Sequence, residues 1–117
     1  MAKAIRAKDP RRRRLIQNLH KTKRKFWRTV SEFLQKSRSS RVTVNIGKID
    51  VYSEANDTVL VPGKVLSSGS LTHPVTIAAF SYSKKAIKKI LKAGGECLFI
   101  EELMEKNPTG SKIKLLT

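Results

Sequence analysis

Charge is spread so unevenly along this chain that its two parts cannot fold by the same means. Residues 1 to 41 hold 15 lysines and arginines against two acids, Asp9 and Glu32, for a net charge of +13. Residues 42 to 117 hold 10 lysines, no arginine and 7 acids, for a net of +3. A stretch as cationic as the first repels itself when it collapses, and the natural relief is a polyanion. The simplest organisation is one domain over residues 1–117, in which a basic helical segment, 1–41, packs on a mixed strand and helix body, 42–117. The apolar share of 39% is ordinary for a globular protein, and the whole chain carries +16.

Asp9 and Pro10 read as a helix start, an N-cap acceptor followed by the one residue that loses nothing at the first helical position. Leu15, Ile16 and Leu19 then form a narrow apolar stripe. A second helix is predicted from about Phe26 to Lys36, with Phe26, Val30 and Phe33 on one side and Trp27 and Leu34 beside them. Trp27 and the two phenylalanines read as core, with base stacking by Trp27 as the other possibility.

From Arg41 the period changes to two: Val42, Val44 and Ile46 alternate with Thr43 and Asn45 as on a half-buried strand. Val59-Leu60-Val61 is a second apolar run, expected to stop at a Pro62-Gly63 turn, and Ser67 to Ser70 read as a flexible loop. Val75 to Phe80 is apolar enough for a strand buried on both faces. Ser83 is expected to cap a helix through Leu91, with Ala86, Ile87, Ile90 and Leu91 inward and Gly94 ending it. Cys97 to Ile100 reads as a fourth strand, and Glu101 and Glu102 open a short helix with the charge its N-terminus prefers. Asn107 to Gly110 is a turn before a last strand containing Ile113 and Leu115. The body is thus of the α/β class, with a β-β-α rhythm.

The motifs of enzymes are missing. Gly63-Lys64 lacks both the earlier glycine and the following hydroxyl of a phosphate-binding loop. His20, His73 and Cys97 show no metal-ligand spacing, so no metal and no cofactor are expected. A nucleophile pair of Cys97 and His73 stays open, but an inert thiol in an apolar strand is the simpler reading. One cysteine excludes an internal disulfide, and no run approaches the roughly 18 to 20 apolar residues of a membrane span. Four arginines stand where a signal peptide needs an apolar stretch, so an intracellular, cytoplasmic place is expected; an organellar transit peptide is the alternative, though this N-terminus lacks serine.

The cations carry the functional signal. Arg11, Arg12, Arg13 and Arg14 are consecutive, so on a helix they project in every direction, as suits a crevice in folded RNA where phosphates approach from several sides. A nuclear-localisation reading of the same run is the alternative. Lys84, Lys85, Lys88, Lys89 and Lys92 share one helix face, and neither the macrodipole nor like-charge spacing favours them there. An external phosphate surface accounts for them; a solvated lysine face is the bland alternative. With Lys3, Arg6, Lys8, Lys21, Lys23, Arg24, Lys25, Arg28, Arg38, Arg41, Lys48 and Lys64 they make the expected RNA-binding set. Composition alone does not choose RNA over DNA, and a DNA-compacting protein and a small RNA-modifying enzyme are the rival classes.

Several short pieces also occur in a telling order. They are Phe26-Trp27-Arg28, Arg41 to Asn45 with Lys48-Ile49, Val61 to Leu66, Pro74 to Ser83, Ala93-Gly94-Gly95 and Asn107 to Gly110. From about Asp9 to Leu116 the chain resembles the archaeal and eukaryotic large-subunit ribosomal protein family eighteen-e, akin in structure to bacterial large-subunit protein fifteen. Ending at Thr117, it is similar to the short archaeal form. Its four-arginine run and its Asp9-Pro10 depart from the family pattern. The resemblance implies an irregular superhelix of β-β-α turns preceded by basic N-terminal helices. It also implies a non-enzymatic ribosomal constituent, whose partners are large-subunit ribosomal RNA and neighbouring ribosomal proteins, with no membrane and no small-molecule substrate.

Overall fold

The computed structural model describes residues 10–22, 24–35 and 42–117. The chain divides into two compact units, Met1–Arg41 and Val42–Thr117.

In the first unit α1 (Pro10–Lys21) and α2 (Lys25–Leu34) pack on each other. The helix starting at Pro10 agrees with the sequence, while the capping role expected of Asp9 lies outside the described residues. Leu15, Ile16 and Leu19 are buried as their spacing requires. On α2 the buried stripe is Trp27, Val30, Ser31 and Leu34, at i, i+3, i+4 and i+7, with Phe26 and Phe33 only half-buried at its flanks. Trp27 is fully enclosed, its ring packed edge-to-face with Phe26 at a centroid separation of 5.0 Å, so it has no face to offer a base. The helix ends at Leu34; Lys36, expected to close it, lies outside the described residues.

The second unit is an α/β layer arrangement. Its strands are β1 (Val42–Asn45), β2 (Thr58–Leu66), β3 (Thr76–Tyr82), β4 (Glu96–Phe99) and β5 (Ile113–Leu115), and every pairing is parallel. The helices between them are α3 (Ile46–Tyr52), α4 (Lys84–Lys92) and α5 (Ile100–Lys106). The order runs β1-β2-β3-β4, and β5 also pairs with β2. Both short strands use the same edge of β2: β5 takes Thr58 to Leu60, and β1 takes Gly63 to Leu66.

Between those two halves β2 departs from what its sequence predicts. Pro62-Gly63 is not a turn that stops a strand but a bulge inside one, where the register against β3 shifts between Val61 and Lys64. A bulge frees a ladder position from hydrogen bonding, so proline's missing donor is harmless there. Gly63 is required because β1 crosses so close that a Cβ at this position would stand 2.0 Å from the Val42 carbonyl oxygen.

One face of the sheet, Val44, Val59, Val61, Val65, Ile77 and Ala79, closes a core with Ile46 and Ile49 of α3 and Ala86 and Ile90 of α4. Strand alternation turns Leu60, Ala78 and Leu98 the other way, and these too are buried. β3 is therefore apolar on both faces, as its sequence demands. Helix α3 has no signature in the sequence pattern: the alternation of Val42, Val44 and Ile46 predicts a strand through Ile46, which starts the helix instead. Ile100, likewise, opens α5 and does not close β4.

Candidate nucleic-acid interface

Helix α4 presents the densest charge in the second unit. Ser83 caps it, its hydroxyl accepting from the Ala86 N–H at 3.2 Å, and Gly94 ends it in the left-handed conformation, φ 84°. Its first turn holds no acid. With Ala86 and Ile90 turned inward, Lys84, Lys85, Lys88, Lys89 and Lys92 are exposed together. Leu91, expected inside, is 57% exposed, because it lies one position, or about 100°, beyond Ile90 on the helix.

Lys89 differs from its neighbours. Its ammonium donates to the Ser67 carbonyl at 2.7 Å and the Gly69 carbonyl at 2.8 Å, fastening the 67–70 loop to the helix. Elsewhere in this unit Lys64 is exposed on β2, and exposed Lys48 donates to the main-chain oxygen of Thr117 at 2.6 Å. Lys114 and Lys106, which stand outside the expected RNA-binding set, are paired with Asp57 at 2.8 Å and Glu96 at 3.6 Å. The Lys114 hydrogen bond, then the Glu54 N–H, hold the Asp57 carboxyl below its ordinary range, and Asp57 in turn raises Lys114.

In the first unit Arg13, Arg14, Lys21, Arg24, Lys25 and Arg28 are exposed and Arg11 is half-buried. Arg28 Nε also donates to the Thr22 carbonyl at 3.2 Å. The expectation that all four consecutive arginines radiate outward is corrected at Arg12. It is only 6% exposed and donates to the Leu34 carbonyl at 3.1 Å, satisfying an acceptor left open at the end of α2. Lys3, Arg6, Lys8, Lys23, Arg38 and Arg41 lie outside the described residues.

Among the described residues the remaining titratable groups form no catalytic set. His73 faces Ser53 and Asp50 and not Cys97: Nε2 stands 3.0 Å from the Ser53 hydroxyl and Nδ1 3.4 Å from Asp50 Oδ1. The order serine, histidine, aspartate imitates an acyl-transfer triad. Yet Ser53 is buried and gives its one proton to the Ile49 carbonyl at 2.5 Å, so none is left for a histidine base. Asp50, meanwhile, accepts from the Thr72 N–H and hydroxyl at 2.8 and 2.7 Å, which lower its carboxyl, the N–H more. The cluster is a clasp between α3 and the loop before β3. Burial, helped by Glu96, pushes the Cys97 thiol up to about 11, far from a reactive thiolate. Burial also raises the Tyr82 phenol, which bonds the carbonyls of Ile77 and Leu98. Among the described residues no group of three or more histidine, cysteine or acidic side chains could hold a metal ion, and no helix is long and apolar enough to cross a membrane.

Residues 3–117 match the family model described as "Ribosomal protein 60S L18 and 50S L18e". The chain is 47% identical over 102 residues to the large ribosomal subunit protein eL18 of Archaeoglobus fulgidus, covering 87% of each. It is 42% identical over 120 residues to the protein of that name from Methanosphaerula palustris, and 41% identical over 120 residues to that of Methanothermobacter thermautotrophicus, covering 99% of each chain in both cases. A match along almost the whole chain, to relatives of the same length, shows that it belongs to the L18e family of ribosomal proteins.

Proposed function

We propose that the chain is a non-enzymatic structural constituent of the large ribosomal subunit, which binds and stabilises folded ribosomal RNA through phosphate contacts. The observation that carries this reading is the lysine face of α4. Lys84 and Lys85 sit where the helix dipole disfavours cations, at roughly 0.3 to 1 kcal/mol each, and the like-charged pairs at i, i+4 add a few tenths more. Nothing within the helix offsets that cost, so the compensating charge comes from outside. Phosphates supply it, and the counterions they release make the union favourable.

The exposed Arg13, Arg14, Arg24, Lys25 and Arg28 give the first unit the same capacity. Guanidinium groups bind phosphate oxygens in pairs and stack on bases, which suits irregular RNA better than a uniform duplex. Neighbouring ribosomal proteins are the other partners, and the ribosome in the cytoplasm is the place of action.

Sedimentation tests the reading. The purified chain should travel with large-subunit particles and leave them progressively as salt is raised. Large-subunit ribosomal RNA should displace it from duplex DNA of equal length. A chain that stays at the top of the gradient, or that prefers the DNA, would contradict the assignment.

A further inference from the structure

Loop 67–70 is polar throughout, yet it is tied down at Ser67, Ser68 and Gly69. Lys89 holds the carbonyls of Ser67 and Gly69, the Gly47 N–H holds the carbonyl of Ser68 at 3.0 Å, and the Asn45 side-chain carbonyl takes the Ser68 N–H at 3.3 Å. The loop also lies against the start of α3 so closely that a Cβ on Gly69, whose φ is 94°, would come within 2.6 Å of the Gly47 Cα. Holding a lysine side chain in one geometry gives up rotamer freedom. Ser68, Gly69 and Ser70 nevertheless stay exposed, so burial of apolar surface is not what this rigidity achieves.

The position of the tether suggests what it is for. Lys85, Lys89 and Lys92 stand at i, i+4 and i+7, one column of α4, and the loop is bonded to the middle member. The exposed serines therefore flank Lys89, the middle of that row. Hydroxyls that donate and accept, fixed next to ammonium groups, match a sugar-phosphate backbone, in which each phosphate is flanked by a ribose 2′-hydroxyl.

We infer that Lys89 is a positioning residue and not a phosphate contact: it holds loop 67–70 in place as the sugar-contacting wall of the α4 RNA site. This rests on α4 facing RNA. A lysine on a phosphate releases counterions and contributes about 0.7 to 0.9 to the slope of log K against log salt. A lysine spent on carbonyls contributes nothing to the slope, but loosening the loop it holds lowers affinity at every salt concentration.

Filter binding to transcribed large-subunit ribosomal RNA, over a salt series, separates these behaviours. Lys89→Met should weaken binding about tenfold with the slope unchanged, and Lys89→Arg, which can still donate to both carbonyls, should recover most of the loss. Ser68→Ala with Ser70→Ala should give a similar loss at constant slope. Lys85→Ala with Lys92→Ala should flatten the slope by about 1.4 to 1.8. Without RNA, the Ser68 amide should exchange faster in Lys89→Met while the melting temperature holds.

A slope reduced by about 0.7 to 0.9 in Lys89→Met would make Lys89 an ordinary phosphate contact and overturn the inference. Unchanged affinity, or an unchanged Ser68 amide, would overturn it as well. A slope left intact by Lys85→Ala with Lys92→Ala would instead refute the RNA-facing reading of α4, and the inference with it.

Discussion

Helices α1 and α4 are both crowded with cations, and each sends one of them back into the protein. Arg12 of α1 is buried and gives a hydrogen bond to the last carbonyl of α2. Lys89 of α4 stays at the surface and clasps a loop. Burial is the difference that matters, because it decides which cation the fold depends on. An arginine sealed in the helix pair leaves an unsatisfied carbonyl when removed, whereas a surface lysine leaves only water. A run of like charges is therefore not one functional object, and its members divide between structure and ligand.

The sharpest way to break this comparison is Arg12→Ala. It should destabilise the fold by about 1 to 3 kcal/mol, the cost of stranding a buried acceptor, while Arg13→Ala and Arg14→Ala stay within about 0.5 kcal/mol. Denaturant midpoints measure all three, and equal effects would erase the distinction. Next in size is the cap of α4: Ser83→Ala should cost about 1 kcal/mol by leaving the Ala86 N–H without its hydroxyl. Thermal melts should show a loss confined to stability, with the salt slope of RNA binding untouched.

The third change runs the other way. Lys84→Ala or Lys85→Ala should raise stability by roughly 0.3 to 1 kcal/mol, since each removes a cation from the end of the helix that disfavours it, while weakening RNA binding. A stability loss in both would mean that α4 needs these lysines for itself. The smallest effect concerns acid. Asp57 is depressed from its ordinary 3.8 by Lys114, so its contribution is present above that value and fades as pH falls through the lowered one. Lys114→Ala should lower stability slightly at neutral pH, where that contribution is present, make the fall below about pH 4 shallower, and leave stability at the lowest pH unchanged. Acid unfolding followed by circular dichroism checks it.

Much of this architecture was legible. The serine cap and terminal glycine of α4, the doubly apolar β3 and the acids that open α5 are local signals, and the structure places each of them as the sequence implies. In α5 the Glu102 carboxylate accepts the Phe99 N–H at 3.0 Å, which is why glutamates start that helix. What could not be read depends on partners distant in sequence. Pro62-Gly63 looks like a turn until β1 is brought against Gly63, and only then does a bulge explain the pair.

The cationic sites divide in the same way. Arg12 lies three, four and seven residues before Leu15, Ile16 and Leu19, so its place on the buried stripe was written in the spacing and hidden by the three arginines beside it. The partners of Lys89 are main-chain carbonyls of a loop about twenty residues earlier, which no side-chain pattern announces. Exposure of Lys84, Lys85, Lys88 and Lys92 followed directly from the positions of Ala86 and Ile90.

Salt dependence of binding to large-subunit ribosomal RNA puts the central claim to its most direct test, because only charge neutralised from outside releases counterions. With about 6 to 10 phosphates engaged, affinity should drop by some 10³ to 10⁵ between 50 and 200 mM salt. An affinity that is flat across that interval would contradict the account.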